Sequence, residues 1–142
     1  MNKANMFKNG LKVLLLPIMF FSAASESATI VSVDAQRNCF SNPWESTSGG
    51  TAAKFKLAQG RYVLSLVNNS MSCSYGQMDG CKINTLFVQG SFGNSRWGIS
   101  VTSSPIVVDV PVEGPKDLVA FVSDSYCQDN TGGVSLLIQE AK

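Results

Sequence analysis

The sequence predicts an all-β fold, a two-sheet jelly-roll β-sandwich of about eight strands. Three observations carry this expectation. Beyond residue 28 the apolar residues fall into short alternating or β-branched runs, separated by Gly, Pro, Asn and Ser clusters, with no helical spacing between them. About eight such runs in roughly 115 residues is the density of a sandwich or barrel, and it suits a two-sheet jelly roll best. Charged residues make up only 15% of the chain while Val, Leu, Ile and Phe are abundant, which excludes disorder and supports a buried core.

The first 28 residues stand apart. Lys3, Lys8 and Lys12 precede a nine-residue apolar run, 13–21, and small residues follow at 22–25 and again at Ser27 and Ala28. A basic start, a short apolar middle and a small-residue exit describe a secretory signal peptide, with cleavage expected between Ala24 and Ala28. The apolar run is too short to span a bilayer, which takes about 20 residues, so no transmembrane segment is expected. Residues 29–142 then form a single domain, secreted or periplasmic.

The strands follow in order. Residues 29–34 alternate, with Ile30 facing away from Val31 and Val33. A polar stretch rich in Ser, Gly and Asn, 35–51, contains Trp44. Residues 54–57 alternate again, 58–60 turn, and 61–67 form a strong β-branched and aromatic run. Further strands are expected at 83–88, 97–101, 106–110 between Pro105 and Pro111, 118–122 and 134–138. Trp97 lies within a β run and is read as core, whereas Lys54, Lys56 and Arg61 are read as solvated strand-face charges.

Charge and composition narrow the function. Removing three lysines and Glu26 with the leader takes the chain from 11 basic and 10 acidic residues to 8 and 9, a net of −1. A protein that grips phosphate backbones needs a basic surface, so nucleic acid is not an expected partner. Histidine is absent, which excludes Ser-His-Asp and Cys-His catalysis and His-ligated zinc. Cys39, Cys73, Cys81 and Cys127 make an even set in an exported chain, hence two disulfides. Closure across the short 73–81 loop is the easiest, and Cys39–Cys127 would then tie the first loop to the last.

The loop 123–133 is the most informative segment. Asp124, Asp129 and Asn130 gather between two apolar strands, with Gly132 and Gly133 at the exit. Calcium takes six to eight oxygen ligands from carboxylates, amides and backbone carbonyls, and this loop is rich in all three. An acidic turn using Asp, Asn and Gly for its own backbone geometry is the plain alternative. A glycosidase pair made of Asp124 and Asp129 is disfavoured, because two acids in one loop are the usual look of a cation site, and no enzyme activity is expected.

Several stretches together resemble the galactose-binding-domain-like jelly rolls, in particular the PA-IL-like bacterial galactophilic lectins. They are 31–35 (VSVDA), 57–62 (LAQGRY), 97–101 (WGISV), 121–124 (FVSD) and 129–136 (DNTGGVSL). The resemblance implies a calcium ion at one end of the sandwich, with the hydroxyl pair of a sugar bound directly to it. Its ligands would be Asp124, the Asp129–Asn130 pair and the backbone carbonyl of Tyr75 in the Tyr75–Gly76 dipeptide. The chain departs from the family in a shorter final loop, in an Asp at position 129, and in lacking a histidine for the outer sugar contacts. Tyr75, Gln77, Tyr126 and Trp44 are the residues expected to supply those contacts instead. The expected function is calcium-dependent binding of a monosaccharide or glycan with vicinal hydroxyls, an activity compatible with a homo-oligomer. The rival is a structural or adhesive cell-envelope module whose calcium only stiffens a loop.

Overall fold

A computed structural model describes residues 28–41, 49–74, 80–92, 95–111 and 116–141. Residues 1–27 of the expected leader, Trp44, Tyr75 and Gln77 lie outside those residues. The strands are β1 (Ala28–Asp34), β2 (Cys39–Ser41), β3 (Ala53–Leu57), β4 (Gly60–Val67), β5 (Leu86–Phe92), β6 (Ser95–Val101), β7 (Ile106–Val110), β8 (Lys116–Asp124) and β9 (Gly133–Ala141).

Their pairing is that of one long hairpin rolled up. β5 and β6 form its tip, and β4 with β7, β3 with β8 and β1 with β9 pair antiparallel along its length. Rolling adds the contacts β4–β9 and β5–β8, giving one sheet in the order β1-β9-β4-β7 and a second built on β8-β5-β6. This is the two-sheet jelly roll, with the core between the sheets.

Period-two alternation decides which side chains enter that core. Leu64, Leu66, Leu136 and Ile138 face inward from the first sheet, and Leu86, Val88, Leu118 and Val122 from the second. Burial of each such side chain contributes about 1.5–3 kcal/mol. Ile30 is 61% exposed and Val33 buried, so β1 presents the face that its alternation predicts. Trp97 packs half-buried against the core. Its cross-strand partner is Gly90, where an added Cβ would lie 2.6 Å from the indole ring. Lys56 and Arg61 form exposed ion pairs with Asp117 and Asp109.

Two departures from the sequence reading have local causes. The polar stretch after β1 contains a ninth strand, β2, paired parallel with Val122–Asp124 of β8. Asp34 and Asn38 place it there. The Asp34 carboxylate accepts from the backbone N–H groups of Gln36 and Arg37 at 3.0 and 2.7 Å, while the Asn38 amide oxygen accepts from Asp34 N–H at 2.7 Å. The resulting turn delivers Cys39 to the same edge of β8 that β3 occupies further along. The second departure is β5, which begins at Leu86 rather than Ile83. Ile83 N–H donates to Met71 C=O, and the Asn69 amide donates to Ile83 C=O, so loop bonds occupy its backbone first.

Candidate functional site

Three segments meet at one end of the sandwich: the β1–β2 turn, residues 68–72 after β4, and the β8–β9 connection. Backbone hydrogen bonds lace them together. Ala35 N–H donates to Gly132 C=O at 3.0 Å, and Ser72 and Thr131 exchange bonds at 3.0 and 2.8 Å. The Ser70 hydroxyl donates to Gly133 C=O and accepts from Gly133 N–H, both at 3.1 Å. The Gln36 amide donates to Gln128 C=O at 2.8 Å. Gly132 sits at φ +78°, and an added Cβ there would collide with the Ser70 carbonyl, so the crossing needs glycine.

Both disulfides belong to this end. Cys39 bonds Cys127, with Cα atoms 5.7 Å apart, and Cys73 bonds Cys81 at 5.2 Å. The first closes a span of 88 residues and the second a span of 8.

The predicted site residues divide into two groups. Asp129 closes a short 3₁₀ turn, Cys127–Asp129, and Asn130 follows it at 1% exposure. The Asn130 amide nitrogen donates to Ala35 C=O at 3.2 Å and to the Cys39 sulfur at 3.4 Å. Its oxygen, and Oδ1 of Asp129, are sealed from solvent with no donor among the described residues. Leaving such atoms unmet is costly, more so for a carboxylate. Two consecutive residues thus each carry a sealed oxygen without a donor among the described residues.

Asp124 ends β8 on the other side of the connection. Its Oδ1 accepts from the Ser125 N–H at 2.6 Å. It borders an open hollow of about 330 Å³ with Cys73, Lys82, Asn84, Thr85, Phe87 and Ser123, and neither Asp129 nor Asn130 is among the described lining residues. Tyr126 is 50% exposed and its hydroxyl donates to Gln128 Oε1 at 2.9 Å. Tyr75, Gln77 and Trp44 carry expectations that fall outside the described residues. Among the described residues no three Asp, Glu or Cys side chains converge to hold a metal, so a cation here would draw on the amide and on backbone carbonyls as well.

Sequence reasoning missed the parts that shape this end. Asp34 and Asn38 were legible as turn formers, since Asp and Asn bond the backbone two or three residues on. A second omission is the row of Phe40, Phe121 and Phe87 on the outer face of the second sheet. The rings of Phe40 and Phe121 meet edge to face at 5.2 Å, and those of Phe121 and Phe87 stack at 5.8 Å. The alternation of Leu86-Phe87-Val88 and Ala120-Phe121-Val122 put both rings opposite the core; only the strand order made them neighbours.

Comparison with family models, with curated proteins and with solved structures found no match to this chain.

Proposed function

We propose that the protein is an exported, lectin-like domain that binds carbohydrate in a calcium-dependent manner, without catalysis. The supporting observation is the two sealed oxygens on consecutive residues, Asp129 Oδ1 and Asn130 Oδ1, that have no donor among the described residues. Calcium would supply the missing positive charge there, held by those two side chains together with carbonyls of the β8–β9 connection. Two disulfides fit an oxidising compartment. Among the described residues no helix is long and apolar enough to cross a membrane.

Burial of both oxygens favours a second reading of the same ion. A cation enclosed by the loop stiffens it and contacts no ligand, which is the structural or adhesive module. One experiment addresses the ion and another the sugar. The melting temperature of the mature chain should rise with calcium in a concentration-dependent way and fall back with chelator, as mass action requires of a ligand of the folded state. Asp129→Asn should remove most of that rise, and Asp124→Asn should do so only if Asp124 is also a ligand. A melt that ignores calcium from micromolar to millimolar would end the metal reading. With the ion established, a glycan array in saturating calcium separates the lectin from the structural module.

A further inference from the structure

The outer face of the second sheet carries a feature that the calcium reading does not use. Phe121 covers one side of Phe87. On the opposite side, across β6, the residue in register with Phe87 is Ser100, too small to cover a ring. Phe87 is accordingly 36% exposed. It is also the residue where the aromatic row meets the hollow of about 330 Å³. Beside the ring stand a carboxylate (Asp124), an amide (Asn84), hydroxyls (Ser123, Thr85) and an ammonium (Lys82).

We propose that Phe87 and this hollow form a binding subsite for a neutral pyranose ring. A pyranose has one face of C–H bonds, which packs on the negative face of an aromatic ring, and a rim of hydroxyls that need both donors and acceptors. The hollow offers that combination. Asp124 accepts, Lys82 donates, and Asn84, Ser123 and Thr85 do both, so that among the described lining residues one positive charge balances one negative. Its volume lies at the small end of the range for ligand sites, which fits one or two sugar rings. Asp124 accepts its described hydrogen bonds through Oδ1 alone, from Ser125, so Oδ2 remains free of donors among the described residues. The inference rests on the carbohydrate half of the function proposed above and not on the calcium.

The test is saturation-transfer NMR on the mature chain with methyl β-galactoside, methyl α-mannoside, methyl β-glucoside and a β-linked glucose tetramer. Each is run once in calcium and once in excess chelator. At least one glycoside should still receive saturation on the protons of its apolar face in excess chelator. Phe87→Leu, which keeps the buried contact but removes the π face, should weaken binding roughly ten-fold. Phe87→Tyr should retain it. Silence from every glycoside, or binding that Phe87→Leu does not alter, overturns the subsite. Binding that chelator abolishes also overturns it and returns the sugar to the β8–β9 connection. Absence of a calcium-dependent melt with intact sugar binding would fail the metal reading alone.

Discussion

The two flanks of the β8–β9 connection use similar residues in opposite ways. On one flank Asp129 and Asn130 each keep one oxygen sealed from solvent, and the Asn130 amide nitrogen bonds Ala35 and the sulfur of the Cys39–Cys127 bond. On the other Asp124 opens onto a hollow edged by Cys73 and Phe87. A polar oxygen in the first setting is expensive to leave without a partner, whereas in the second, water can meet it. The sealed flank is therefore suited to holding an ion and the order of the loop. The open flank is suited to exchanging water for a ligand. Residue type alone does not distinguish them, and Asp124 and Asp129 are both half-buried as whole residues; the sealing of single oxygens does.

The comparison breaks most visibly at the cysteines. Chain-entropy arguments give about 4.6 kcal/mol for the 88-residue closure and about 2.5 kcal/mol for the 8-residue one. Urea denaturation of the Cys39→Ala/Cys127→Ala protein should thus reveal the larger loss, and Cys73→Ala/Cys81→Ala the smaller. The reverse order would mean that the open flank, not the sealed one, holds this end together.

Asn130→Asp sharpens the same contrast at one atom. The change removes the donor to Ala35 and buries a second carboxylate beside Asp129. In chelator it should cost at least about 1–3 kcal/mol, and calcium should restore part of that loss. Indifference to the substitution in denaturant titrations would mean that the oxygens are not sealed as described.

The smallest effect belongs far from either flank, on β4 and β7. Arg61 and Asp109 form a bidentate pair at 2.7 and 3.0 Å. The hydrogen bond from Arg61 holds the Asp109 carboxyl below its ordinary range. A folded-state pKa that is lowered stabilises above the unfolded value and loses that contribution as pH falls through the folded one. Both side chains are exposed, so the effect is slight. Thermal melts of Asp109→Asn should sit marginally below the parent at neutral pH and merge with it in acid. A gap that persists or widens in acid would contradict the ion-pair origin.

Much of the fold was legible because its signals are local. The runs around Tyr62–Leu66 and Val134–Ile138 announce strands through β-branched content and alternation, and their inward faces follow from period two. Half of the candidate site was legible for a similar reason: Asp129, Asn130 and Gly132 sit together in one loop. Asp34 and Asn38 escaped notice because a polar stretch can hide a short strand once its turn is built by side-chain bonds. β2 has only three residues, too few for any periodicity.

By itself the sequence determined an all-β chain with a core of alternating apolar residues and a loop dense in oxygen ligands. These properties depend on neighbours within a few residues, where sterics and periodicity act directly. Tertiary structure alone decided that Asn130 would be capped by Ala35, 95 positions away. Strand order likewise brought residues 40, 87 and 121 into one aromatic row. Such contacts depend on register and on which strand lies beside which, and a shift of one residue would send every side chain of a strand to the other face. The difference between a sealed carboxylate oxygen and an open one arises at that level, from packing between segments distant in the chain.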